Sequence, residues 1–202
     1  MRPVLPSLIL LFAVIPPLSA ATLQGTCSVA FFASSTLHDF EGEGRCHPFS
    51  IEIDDQGRLQ ATDITVPVAE MTTHNKKRDR KMRETFDAEH FPLITGHLAA
   101  APLATLRDQL HQVAAGDGAF TLTLGIRNRG RTVSARIADL VDSPEKLAFH
   151  LTFPVSLKSY GLKPPPVLGF IRVADRVRVE VEVELEPLPT PWQENERKVS
   201  AR

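Results

Sequence analysis

Charge of one sign is missing from this chain: 23 Lys and Arg stand against 24 Asp and Glu, a formal net charge of -1. With a pI near 6.7, that balance argues against a strongly basic nucleic-acid binder. Cysteine is scarce. Two residues cannot build a Cys-only zinc site or a disulfide-dense miniprotein. Tyr and Trp occur once each, beside eleven Phe. After the N-terminal segment no apolar run is long enough for a membrane helix. There is no GxSxG, no reactive-Cys setting, no glycine-rich phosphate loop and no HExxH. What remains is ordinary for a globular protein, with 43% hydrophobic and 23% charged residues.

The N-terminus has the layout of a secretory signal peptide. One Arg precedes an apolar run from Leu8 to Ile15, a Pro16-Pro17 breaker, and small residues at Ser19 and Ala21. Residues 1–21 are therefore expected to be removed, leaving a mature protein that is soluble and exported. No Cys sits at the cleavage point, which argues against a lipoprotein. Residues 22–187 form the expected domain. Residues 188–202, Pro-rich and then charged, form an expected flexible tail.

Export gives the two cysteines a meaning, because a disulfide persists in an oxidising compartment. The stretch between Cys27 and Cys46 fits a hairpin with its tip near Thr36-Leu37. That register sets Cys27 opposite Cys46, Val29 opposite Gly44 and Phe31 opposite Gly42. A Cys27–Cys46 bridge closing about 20 residues would stabilise by roughly 3 kcal/mol in the chain-entropy model.

Period-two alternation dominates the rest. Val177, Val179, Val181, Val183 and Leu185 alternate with Arg178, Glu180, Glu182 and Glu184, the pattern of a half-buried antiparallel strand. Leu147, Phe149, Leu151, Phe153, Val155 and Leu157 form a second such row, with Pro154 demanding an edge or a bulge nearby. Phe120, Leu122, Leu124 and Ile126 form a third, and Val133, Ala135 and Ile137 a weaker fourth after an Asn128-Arg129-Gly130 turn. Phe49, Ile51 and Ile53 precede an Asp54–Gly57 turn, and Leu59 to Val68 reads as one further strand. Cys46 and Phe49 have opposite parity, so a bulge near His47-Pro48 is needed to keep both inside. With 26–33 and 93–99 the count reaches about eight strands, a sandwich or a closed barrel.

Two segments depart from this pattern. From Met71 to His90 the chain is polar and charged, and suits a short helix capped at Thr73 or Asn75. Its basic run reads as an anion site or, more simply, as a solvated helix face, since acids follow immediately. Leu103, Leu106, Leu110 and Val113 have helical spacing over 102–115 and predict a helix packed outside the sheet or capping one end.

The seven histidines, at 38, 47, 74, 90, 97, 111 and 150, show no ligand spacing, so no metal and no cofactor is expected. Asp87 and Glu89 beside His90 could be imagined as acid–base machinery, but they read better as a structural turn. No catalytic residues are assigned.

The segment TTHNKKRDRKMRETFDAEHFPLIT from Thr72 to Thr95 resembles the signature of the YceI-like family of bacterial periplasmic lipid-binding proteins. The matching positions are Thr73, Arg78-Asp79, Met82-Arg83, Phe86-Asp87 and Phe91-Pro92. Ser35–Gly42, Leu157–Leu162 and Val173–Val181 resemble further family segments in family order. The resemblance implies a mainly β fold, an eight-stranded antiparallel lipocalin-like barrel with one or two short helices. It also implies an apolar interior that takes a polyisoprenoid, an isoprenoid quinone or a fatty-acid-like lipid. The helical segment from Ala99 to Gly118 and the Gly125–Arg131 turn depart from the family pattern.

The favoured reading is an exported, non-enzymatic binder of a long apolar molecule, for storage or transport. Phe31, Phe49, Ile51, Phe120, Leu122, Leu124, Phe149, Leu151, Phe153, Val179 and Val181 are its candidate ligand-lining residues, each of which could equally be plain core. The alternative is a periplasmic protein-interaction module with a filled barrel. A lipid-modifying enzyme is a third class. The expected partner is thus a long-chain isoprenoid or other lipid and no nucleic acid, with transient proximity to a membrane. The oligomeric state is open, a dimer included.

Overall fold

The computed structural model describes residues 20–143, 145–164 and 173–186. The expected signal peptide, apart from Ala20 and Ala21, and the expected C-terminal tail lie outside the described residues.

One curled antiparallel sheet carries the fold, as the alternation predicts. Its spine is β1 (Ala21–Ser35), with buried residues at every second position over Leu23, Gly25 and Cys27. β1 pairs along one edge with β11 (Val173–Leu185). Its other edge is shared: Ser28 to Ser34 pair with β2 (Asp39–Arg45), and Ala21 to Gly25 pair with β3 (Phe49–Ile53). The chain between β2 and β3 crosses Cys46, His47 and Pro48, and this break lets Cys46 and Phe49 both face inward despite their parity.

From β11 the sheet continues through β10 (Leu147–Ser156), β9 (Arg129–Asp142), β8 (Phe120–Ile126), β6 (Leu93–Leu98) and β5 (Thr62–Pro67). The curl runs from β2 round to β5. Its two ends meet where Glu43 and Thr72 exchange backbone hydrogen bonds of 2.8 and 2.9 Å, and where the His47 N–H donates to the Thr65 carbonyl at 2.9 Å.

Eleven strands are described rather than about eight. Leu59–Val68 is not one strand: it is interrupted at Gln60–Ala61, leaving β4 (Arg58–Leu59) and β5. β4 pairs with β7 (Ala101–Pro102) and with β3, forming a flap beside the curl. The Asp54 carboxylate orders the turn before β4 by accepting from the N–H groups of Gln56 and Arg58, 3.0 and 2.9 Å. The β8–β9 turn is Arg127-Asn128, because Ile126 already pairs with Arg129 and Gly125 with Gly130. β9, expected to be weak, is 14 residues long. It serves two neighbours, with Arg129 to Ala135 facing β8 and Arg136 to Asp142 facing β10.

That division explains Pro154. The β9–β10 ladder ends at Thr152–Arg136, so the missing N–H falls where β10 has lost its partner on that side. The bulge on this ladder lies elsewhere, between Ala148 and His150, opposite a left-handed Asp139.

Both expected helices form. Helix α1 (Lys76–Phe86) starts at Asn75, whose side chain accepts from the N–H groups of Lys77 and Arg78. Helix α2 (Leu103–Ala114) buries Leu103, Leu110 and Val113, with Leu106 packed beside them. It lies against β9, where Asp142 accepts from the Arg107 guanidinium and from His111 Nε2 at 2.8 Å. Burial acts to raise the Asp142 carboxyl, but Arg107 and His111 outweigh it and hold the group below the usual carboxylate range.

Candidate functional site

The inward faces of the curled strands leave a cavity of about 690 Å³. It extends along β1 past Cys27, Val29, Phe31, Ala33 and Ser35, and along β11 past Val183, Val181, Val179, Val177 and Val173. Eight steps from Cys27 to Ser35 at about 3.3 Å each give roughly 26 Å of strand, somewhat less along the axis of a tilted curl. The shape is therefore elongated, and the volume lies in the range typical of small-molecule sites.

The cavity exists partly because of two glycines on β2. Gly42 faces Phe31 across the β1–β2 ladder, and a Cβ there would sit 2.2 Å from the Phe31 ring and 2.7 Å from the Thr72 carbonyl. Gly44 leaves a smaller margin for Met71, whose Cγ would lie 3.1 Å from a Cβ there. Aromatic and thioether groups thus fold over bare backbone.

Of the sequence-derived lining candidates, Phe31, Leu122, Leu124, Leu151, Phe153, Val179 and Val181 lie on the cavity wall. Phe49, Ile51, Phe120 and Phe149 do not. They are buried in the main core but lie at or below the closed end. Phe149 pairs with Val183, at the level of Cys27, while Phe49 pairs with Gly25 and Ile51 with Leu23, one and two inward positions further down. Phe49 covers Gly25 so closely that a Cβ there would meet its ring at 2.4 Å. Parity says which way a side chain points. It does not say how far along the strand the space ends.

Several wall residues escaped the sequence reading. Val155, Leu157 and Val177 extend rows already recognised, whereas Phe40, Ile64, Val66 and Ile94 come from shorter, less regular strands and Met71 from the segment between β5 and α1. Met82 and Phe86 had a usable signal: they are an apolar i, i+4 pair on an otherwise charged helix. Both line the cavity from α1, which lies across its open end.

The anchor of α1 is Asp79, only 8% exposed. Its carboxylate accepts from the Thr73 N–H at 2.7 Å, the Thr73 hydroxyl at 2.6 Å and the Thr72 hydroxyl at 3.0 Å. Burial works to raise its pKa, and the Thr73 and Thr72 hydrogen bonds, with Arg83 nearby, overcome this and hold it below the usual carboxylate range. Beyond the helix Asp87 adopts a left-handed C-cap conformation, φ 53°. Its backbone carbonyl accepts from Phe91 N–H, its carboxylate meets His90 at 2.8 Å, and Arg127 lies 3.7 Å away. Asp87 and His90 are thereby engaged in a turn that seats the helix on the β8–β9 hairpin. The Phe91–Pro92 step follows, with the Pro92 carbonyl accepting from Val68 N–H at 2.8 Å.

At the cavity's closed end Cys27 and Cys46 are joined by a disulfide, their Cα atoms 5.4 Å apart. The hairpin register is the expected one, with Val29 opposite Gly44 and Phe31 opposite Gly42.

Histidines sit beside acids on the surface: His74 with Glu43, His97 with Asp63, and His150 with Asp139 and Glu182. Among the described residues no group of three His, Cys, Asp or Glu converges on a point that could hold a metal.

A family model described as the YceI-like domain matches residues 22–185. A solved structure described as a polyisoprenoid binding domain from Saccharophagus degradans, implicated in plant cell wall breakdown, is similar with a TM-score of 0.59 at 14% identity. The similarity covers 81% of this chain and 98% of that one. BcnA of Burkholderia cenocepacia is similar with a TM-score of 0.54 at 16% identity, over 78% of this chain and 95% of that one. At these identities the likeness concerns the fold alone. No curated protein matches the chain in sequence.

Proposed function

The chain belongs to the YceI-like domain family, and we propose that it is an exported periplasmic protein that binds a long-chain apolar ligand inside its curled sheet. The ligand class is a polyisoprenoid, an isoprenoid quinone or a fatty-acid-like lipid, and the role is storage or transport rather than catalysis. The observation that carries this reading is the elongated cavity of about 690 Å³, walled by inward Val, Leu, Ile and Phe and covered by the Met82–Phe86 face of α1. Each CH₂ moved from water into such a wall is favourable by about 0.8 kcal/mol, so a long chain gains what a compact ligand cannot. The resemblance in fold to a polyisoprenoid binding domain supports the same class. Export rests on the N-terminal segment of residues 1–21, which has the form of a cleaved signal peptide.

The test is to fill the cavity. Leu122 on β8 and Leu151 on β10 both stand on the cavity wall, whereas Thr121 points outward and is exposed. Leu122→Trp and Leu151→Trp are expected to bind much less added polyprenol per folded protein than the wild type, and Thr121→Trp about as much. Extraction of the purified protein into organic solvent, followed by mass spectrometry, gives a second measure through any copurifying lipid. Equal binding by all the variants, or no binding by the wild type across several long-chain lipids, would refute the proposal.

A further inference from the structure

The mouth of the cavity differs in character from its wall. Four cationic side chains of α1 border it, Lys77, Arg78, Arg80 and Lys81, and no Asp or Glu does so among the described residues. Arg80 and Lys81 already have a counter-charge in Glu84, at 3.8 and 2.7 Å. Lys77 and Arg78 do not: no carboxylate of the described residues lies within ion-pair distance of either. The Arg78 guanidinium is instead laid over the Phe40 ring, 4.4 Å from its centroid, and Phe40 is itself part of the wall. The nearby acids of β2 have other surroundings. Asp39 and Glu41 line a separate depression with Arg176 and Arg178, and Glu43 meets His74.

We infer that the open end of the cavity is an oxyanion-head site, in which Lys77 and Arg78 receive the carboxylate or phosphate of a single-chain amphiphile whose tail lies in the curl. This rests on the proposed lipid binding and goes beyond it, because a purely apolar ligand gives these two cations nothing to do. The arrangement suits the task chemically. A guanidinium held over an aromatic ring by its carbon makes no hydrogen bond there and keeps its N–H groups available, and guanidinium matches carboxylate and phosphate oxygens in a bidentate way. An ammonium one residue away adds a mobile point charge. Both stand in the first turn of α1, where the helix dipole also favours an anion. A polar head held there, above a tail in the wall, reproduces the division between the cationic rim and the apolar interior.

The experiment uses the full chain and two matched pairs of ligands, oleate against oleyl alcohol and a polyprenyl phosphate against the corresponding polyprenol. Binding is measured for each at low and at high salt. Exposed ion pairs contribute modestly, so two of them should favour the anionic member by about three- to tenfold at low salt, and less at high salt. In Lys77→Gln and in the double variant Lys77→Gln/Arg78→Gln this preference should shrink stepwise towards parity. Glu84→Gln, which frees Arg80 and Lys81, should increase it. Lys77 is exposed, so its single variant keeps the test independent of any folding defect from Arg78.

A preference shown by the phosphate pair alone supports the site and assigns its head as phosphate; one shown by the oleate pair alone assigns it as carboxylate. Equal affinity within both pairs would overturn the head site while leaving tail binding intact. A preference that survives in the double variant would overturn the assignment to Lys77 and Arg78. No binding of any of the four ligands would overturn the lipid-binding reading and this inference together.

Discussion

Removing the carboxylate of Asp79 should loosen the cover of the cavity while leaving the sheet assembled. Asp79→Asn is nearly isosteric. It keeps one neutral acceptor for Thr73 but replaces the other oxygen with an amide that cannot accept from Thr72. Hydrogen bonds to a charged group contribute about 1.5–3 kcal/mol each, and three that share one carboxylate do not add fully. A loss of about 2–3 kcal/mol is expected for Asn, and about 4 kcal/mol for Ala, which leaves the Thr73 donors without a partner. For a domain of this size the Asn loss corresponds to roughly 5–10 °C in Tm.

The dependence on pH gives the sharper check. The folded-state pKa of Asp79 is depressed, so its contribution is complete above the unfolded value of about 3.9 and is lost as pH falls through the folded value. Urea unfolding of the wild type and of Asp79→Asn, at a series of pH values, should therefore give a gap that is constant at neutral pH and closes in acid. Asp142, also depressed, titrates in both proteins and cancels from the difference. Amide exchange should speed up in α1 before it does in β10 or β11. A gap below about 0.5 kcal/mol, or one that stays constant down to the acid limit, would show that Asp79 does not hold the helix.

Two further outcomes test the packing around the cavity. Gly42→Val places a branched side chain where the Phe31 ring and the Thr72 carbonyl already lie, so a loss of about 2–4 kcal/mol is expected in thermal or urea unfolding, and a loss under 0.5 kcal/mol would mean that Phe31 can swing aside. Cys27→Ala/Cys46→Ala removes a cross-link between residues 19 apart, which should lower unfolding free energy by about 2–4 kcal/mol; an unchanged urea midpoint would refute the bridge's contribution.

The rows of alternating residues in β8, β10 and β11 were readable because each has one face in the core and the other in water. Period two then appears directly in the sequence, and the Val177–Leu185 row is the clearest case. The β1–β2 register was readable for another reason: the cysteines and the glycine positions agree on one pairing. Helix α2 declared itself through Leu103, Leu106, Leu110 and Val113. What stayed hidden was depth and closure. Nothing local distinguishes Phe149, in the closed end, from Phe153 on the cavity wall, since both sit on the same face of one strand. The interruption after Leu59 depends on pairing with β7, more than forty positions away. The position of α1 over the mouth depends on a buried carboxylate binding two threonines of the preceding segment, and that chemistry looks identical in sequence to a solvated charged helix.

The pairing of β1 with β11 sets the order of events during folding. The first described strand finds its long neighbour, from Gly25–Leu185 to Ser35–Val173, only at the far end of the domain. β10 likewise must wait for β11. Hairpins such as β1–β2 and β8–β9 can form early from adjacent residues, but a lone hairpin has marginal stability in water. The cavity wall therefore has no closed form until the last described strand is in place. Contacts spanning so much of the chain pay their loop-closure entropy late, which places this topology among the slow folders, on the order of milliseconds to seconds. A chain shortened before Val173 loses a neighbour along one whole edge of β1 and should remain unfolded rather than fold in part.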